Sequence, residues 1–225
     1  MAALATEIPA VALAWPADPN EAAIFVATRH RVIKIFIEPA SQELRSTQSF
    51  LENYLNITAL LASPAYAVDH TLWAATTRGV YQSSDSGATW TKKDPAKRGL
   101  PAAPWGRVEV AIAPSDPNVV YAFIESTASA LFRSSDGGET WEARDRSQMM
   151  VWRPFYFARL VVDPKNPDRL FKPDLSLIVS EDGGRSFSGT GGGAHGDWHD
   201  LWIDPQNPRH VIGGDDGGLW ISRDG

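Results

Sequence analysis

One short pattern recurs along the chain. Ser83–Trp90 reads SSDSGATW, Ser134–Trp141 reads SSDGGETW, Ser180–Phe187 reads SEDGGRSF, and Ser222–Gly225 reads SRDG. The aspartates of this pattern, Asp85, Asp136, Asp182 and Asp224, fall roughly 40–50 residues apart, a period that belongs to solenoids, propellers and arrays. A second marker recurs out of phase with the first: PADPN at 16–20, SPAYA at 63–67, PSDPN at 114–118, DPKNP at 163–167 and DPQNP at 204–208. Together the two define five units.

Each unit follows one plan, clearest in the third. RVEVAIA (107–113), VVYAFIE (119–125), LFRSS (131–135) and TWEAR (140–144) read as short strands separated by turn residues, an antiparallel meander. The one stretch with helical spacing is 41–56, where Leu44, Leu51 and Leu55 predict a short helical insert. A four-stranded meander cannot bury both of its faces alone, and stacking such sheets radially gives a propeller. A sandwich does not explain a fixed period with a fixed turn. The expectation is an all-β, single-domain β-propeller of about five blades, near 1–56, 57–100, 101–150, 151–193 and 194–225. Unit five stops after its third strand, so Ala2–Ile8 is expected to supply the fourth and close the ring. The rivals are a homodimer sharing propeller edges, and a fragment of a larger propeller.

The repeated turn has a local chemistry. Its aspartate can accept backbone N–H groups of its own turn, its glycine supplies positive φ, and its aromatic residue can wedge between sheets. Asp85, Gly87 and Trp90, Asp136, Gly138 and Trp141, Asp182, Gly184 and Phe187, and Asp224 are therefore expected to be scaffold. These residues resemble the Asp box, or bacterial neuraminidase repeat (BNR), found in sialidases, xyloglucanase-type glycoside hydrolases, sortilin-type receptors and a photosystem assembly factor. The resemblance covers roughly 57–225. It is nearest to bacterial sortilin-like or "glycosyl hydrolase, BNR repeat" proteins, and it implies a secreted or cell-envelope setting. The first residues lack a basic region and are broken by Glu7, Pro9 and Pro16, so they do not read as a signal peptide.

Composition narrows the function classes. A net charge of −6 on 225 residues provides no basic footprint for nucleic acid and disfavours an anionic membrane. Without cysteine there is no disulfide, thiol chemistry or thiolate metal site. No apolar run is long enough to span a bilayer.

Strand order puts the loop before each first strand and the loop between the second and third strands at one end of the unit, and the DPN and Asp turns at the other. The first end is where a propeller usually meets its ligand. Unit five is richest there. GGGAHGDWHD (191–200) and GGDDGG (213–218) bring His195, Asp197, His199, Asp215 and Asp216 to that end. If the chain is extended, His195, Asp197 and His199 face one side. They are the one set suited to a divalent metal; otherwise no cofactor is expected. Asp197, Asp215 and Asp216 are the candidate carboxylates for glycoside hydrolysis. Trp105, Arg107, Trp152, Arg153 and Tyr156 are expected to bind ligand together with His195 and His199, and Arg29, His30, Arg31, Arg78, Lys172 and Asp174 are expected at the same end. The function these features favour is a binding or scaffold module for a peptide, protein or glycan at the channel mouth. The alternatives are a glycoside hydrolase using paired carboxylates, and a propeller fragment without activity of its own.

Overall fold

The computed structural model describes residues 10–14, 23–28, 31–38, 40–51, 56–93, 99–147, 150, 159–190 and 192–225. The chain divides into two compact units. Unit 1 holds residues 1–95 with 103–105, and unit 2 holds 96–102 with 106–225. Both are built from antiparallel meanders in which sequential strands are neighbours.

Unit 1 contains two four-stranded sheets. The first runs β1 (Ala10–Ala14), β2 (Ala23–Ala27), β3 (Arg31–Ile37) and β4 (Leu44–Phe50). The second runs β5 (Ile57–Ala62), β6 (Leu72–Thr76), β7 (Gly79–Ser83) and β8 (Thr91–Lys93), with a one-turn helix α1 (Tyr66–Asp69) between β5 and β6. Strand β1 lies beside β5, so the first strands of successive sheets are neighbours. Phe25, Ala27 and Val32 of one sheet close on Ile57, Leu72 and Tyr81 of the other. Trp90 packs against this core and donates its indole N–H to Ser49 Oγ at 2.9 Å.

Strand β4 replaces the helical insert expected at 41–56. It pairs with β3 along its whole length, from Arg31 opposite Phe50 to Ile37 opposite Leu44. The leucine spacing is overridden because the open edge of β3 offers backbone partners to a strand placed there, and Thr47 suits a pleated surface. Leu44 is mostly exposed and only Leu51 is buried; Leu55 lies outside the described residues.

Unit 2 contains three sheets. They are β9 (Val108–Ile112) to β12 (Glu142–Asp145), with β10 (Val120–Ile124) and β11 (Ala130–Ser134) between; β13 (Val161–Val162), β14 (Leu170–Lys172), β15 (Ile178–Ser180) and β16 (Ser188–Gly189); and the three-stranded β17 (Trp198–Ile203), β18 (Val211–Asp215) and β19 (Gly218–Ser222). Tyr121, Phe123 and Leu131 pack on Leu160, Leu170 and Ile178, and Phe187 joins them at the turn. Phe171 and Leu177 pack in the same way on Trp198, Leu201 and Val211. The expected fourth strand at Ala2–Ile8 lies outside the described residues.

The Ser-x-Asp-x-Gly turns share one hydrogen-bond pattern. Ser134 Oγ donates to Asp136 Oδ1 at 2.7 Å and accepts the Gly138 amide at 2.8 Å, while the Thr140 amide and hydroxyl donate to the two Asp136 oxygens at 2.9 and 2.6 Å. Asp85 and Asp182 repeat this with Thr89 and Ser186. Ser222 and Asp224 form the same 2.8 Å bond. Burial opposes the charge on Asp136, but the bonds from Thr140 and Ser134 outweigh it and hold the carboxyl down at about 2. The neighbouring DPN turns lock onto these turns: the Gly137 amide donates to Asn118 O, and Arg133 pairs with Asp168 at 2.8 Å. In the sheets of unit 2 the two repeated markers therefore occupy one end.

Candidate functional site

The opposite end of unit 2 gathers charged side chains where the first strands of its sheets begin. β9 is apolar apart from Glu109, the second residue of the strand. β13 lies beside β9, and Arg159 precedes it by one residue, Leu160. Asp200 sits at the bulge of β17, where the register against β18 shifts between Trp198 and Asp200. The bulge re-aims the strand, leaving Trp198 buried and His199 and Asp200 exposed.

These three residues form an ionic strip across the three sheets. The Arg159 guanidinium lies 2.9 Å from Asp200 Oδ2 and 3.9 Å from Glu109 Oε1. Arg159 and Asp200 are more than half exposed, whereas the Glu109 side chain is only 13% exposed. Burial pushes the Glu109 carboxyl up to about 7; Arg159 and Arg107 pull it down and Asp200 adds to the rise. A mostly buried carboxyl pushed toward its protonated form, beside an open guanidinium and a second carboxyl, can both donate and accept hydrogen bonds at one place.

Unit five extends the strip. His199 Nε2 lies 2.7 Å from Asp216 Oδ1, joining β17 to the β18–β19 turn. Gly217 of that turn lies so close beneath His195 that a Cβ there would come within 2.7 Å of the His195 Cβ. Asp215 is buried in the same turn and accepts the Gly217 and Gly218 amides at 2.8 and 2.9 Å. Burial works against its charge, but the Trp220 indole, these two amides and His195 keep its carboxyl below the ordinary range. The loop carrying His195 is anchored from behind: the Asp197 amide donates to Leu175 O at 3.1 Å and the Trp198 amide to Asp174 O at 2.8 Å.

The structure thus brings His195, His199, Asp215 and Asp216 together, and it differs from the sequence expectation in several respects. His195, Asp197 and His199 do not alternate along one extended face, because Asp197 takes a left-handed φ of +62° and His199 falls in the bulge. Among the described residues no group of three or more His, Asp or Glu side chains is placed to hold a metal ion. Trp105, expected to meet ligand, is only 4% exposed and belongs to unit 1, where its amide donates to Thr77 O. Lys172 and Asp174 are also withdrawn from solvent, and their side chains form a buried ion pair. Arg107 is exposed and its backbone amide donates to Glu125 at 2.8 Å. Arg31 and Arg78 lie in unit 1, at the start of β3 and in the β6–β7 turn. Arg29, His30, Trp152, Arg153 and Tyr156 lie outside the described residues.

Sequence reasoning missed Glu109, Arg159 and Asp200. The signal was present: each is a charged residue at or near the start of an otherwise apolar first strand, in RVEVAI, ARLVV and HDLWI.

No protein-family model and no curated protein matches the sequence. Solved structures do match the fold. The chain is similar to the GH74 xyloglucanase from Xanthomonas campestris (16% identity over 96% of this chain and 45% of that one, TM-score 0.50). It is similar to the extracellular domain of BT4673 from B. thetaiotaomicron (13% identity, 96% and 27%, TM-score 0.62). It is also similar to YCF48 from Cyanidioschyzon merolae (13% identity, 99% and 69%, TM-score 0.56). The fold is a β-propeller, with antiparallel meander sheets as its blades. The chain spans less than half the length of the first two structures.

Proposed function

We propose that this chain is an Asp-box β-propeller module that binds a glycan on the Glu109–Arg159–Asp200 strip, with His199 and Asp216 at its flank. The observation that carries this reading is the strip itself. It sets hydrogen-bond donors and acceptors side by side at the end of unit 2 opposite the Asp turns, whose Asp136 and Asp182 carboxylates are taken up by bonds within the turn. Sugar hydroxyls both donate and accept, so a mixed row of this kind suits them. The likeness to a protein described as a xyloglucanase supports a glycan over the peptide or protein that the same end of a propeller can also hold. By the same resemblance the module works outside the cell or in its envelope.

A hydrolytic version of the same reading draws on Glu109. A carboxyl that holds its proton to about 7, next to a second carboxyl in a wetter setting, is the division of labour that acid–base hydrolysis of glycosides uses.

The test is retention of neutral oligosaccharides, xyloglucan fragments among them, by the wild-type chain and by Arg159→Ala and Asp200→Ala. Binding that weakens about tenfold or more in each variant, as expected when one charged hydrogen bond of about 1.5–3 kcal/mol is lost, supports the site. A wild-type chain that retains no glycan, or variants that bind as well as wild type, overturns it. New reducing ends that vanish in Glu109→Gln would convert the binding reading into the hydrolytic one.

A further inference from the structure

Resting on that reading, we infer that Glu109 is a proton-gated ligand group: seating a neutral glycan on the strip takes one proton up onto its carboxyl. The geometry sets this up. Arg159 holds Asp200 at 2.9 Å and reaches Glu109 only at 3.9 Å, so its firm partner is Asp200 and Glu109 is the carboxyl it can release. The charged groups facing Glu109 are Arg159, Arg107 and Asp200, and their pulls oppose one another. The Glu109 side chain keeps 13% of its surface in contact with water, beside the open Arg159.

A glycan laid over the strip removes that water. The ionised carboxylate loses more hydration by this than the protonated form does, and a neutral ligand brings no charge to replace it, so the covered site favours the protonated form. Protonated Glu109 then donates an O–H beside the N–H donors of Arg159, while Asp200 accepts. Burial draws the free Glu109 carboxyl up to about 7, so at neutral pH the ionised part of the population is expected to gain a proton as ligand binds. A cationic ligand would act in the opposite sense and drive the proton off.

The experiment measures the affinity of the wild-type chain for a xyloglucan oligosaccharide from pH 5.5 to 9, with calorimetry near pH 7.5 in two buffers of different ionisation heat. Affinity is expected to stay level below about pH 6 and to fall toward tenfold per pH unit above about 7, with close to one proton taken up on the alkaline limb. Glu109→Gln, a permanent neutral donor, is expected to bind with a flat profile and to exceed wild type at pH 8.5. A flat wild-type profile with glycan bound overturns the coupling and leaves the binding reading standing. Failure of the wild-type chain to bind any glycan overturns the binding reading first and the coupling with it. A Glu109 carboxyl that titrates below about 5 in the free chain, followed by carbon NMR, also overturns the coupling.

Discussion

Replacing Asp174 with alanine is expected to destabilise the chain by about 3–5 kcal/mol at pH 7. Lys172 is fully buried, and its ammonium is bonded to Asp174 Oδ2. Burial already draws the lysine down to about 8. Without Asp174 the ammonium is left in the core beside Leu170 and Ile178, with no counter-charge in its pair. The sign with pH follows. A lysine whose folded pKa lies below its unfolded value binds fewer protons when folded, so stability rises with pH between the two values. Removing the carboxylate lowers the folded value further, so the variant sheds its proton and regains stability at lower pH than wild type, and the Asp174→Ala loss should shrink from pH 7 to pH 9.5 in urea titrations. Lys172→Met combined with Asp174→Leu should recover most of it, because an apolar pair of similar volume has no charge to desolvate. A loss under about 1 kcal/mol at pH 7, or a loss that grows with pH, would show that the pair does not hold the β14 end. The pair matters to the site because the Asp174 carbonyl takes the Trp198 amide and Leu175 O takes that of Asp197, which fixes the His195–His199 loop.

Gly184→Ala is expected to cost about 2–4 kcal/mol. The residue sits at φ +83°, where an L-residue loses roughly 1–2 kcal/mol. A Cβ there would come within 2.6 Å of Leu131 Cδ2, a fully buried side chain of the preceding sheet, and overpacking adds about 1–3 kcal/mol. Gly183→Ala is the internal control. Its φ is +71°, but its Cβ would meet only the ends of the Asp168 and Arg133 side chains at 3.0 and 3.4 Å, and these can yield. It should show the backbone cost alone. Equal losses in chemical denaturation would refute the idea that the second glycine is required for close packing between sheets.

Those glycines explain why the fold was legible. The Ser-x-Asp-x-Gly turn is a local object, closed by side-chain bonds within seven residues of sequence, so its chemistry can be read from spacing alone. β9 to β12 fell close to where the alternation of apolar runs and turn residues put them, whereas β17 and β18 reach into stretches read as loops, 191–200 and 213–218. β4 was not legible, because what decides it is the edge of β3, and the leucine spacing carries no information about a neighbouring strand. The site was half legible. His199 and Asp216 come together across one hairpin that the turn residues announce. Glu109, Arg159 and Asp200 are about 40 to 50 residues apart in sequence and meet only because successive first strands lie side by side. The raised carboxyl of Glu109 comes from burial, which no spacing records. Trp105 shows the converse: an aromatic residue read as a ligand platform spends its surface on the core.

The most direct test of the central claim is a map of amide NMR shifts as a retained oligosaccharide is titrated into the chain. Changes are expected to centre on Glu109, Arg159, His199, Asp200 and Gly217, with the Ser134–Trp141 and Ser180–Phe187 turns unmoved. Changes centred on those turns, with the strip silent, would put the ligand at the wrong end of the blades and contradict it.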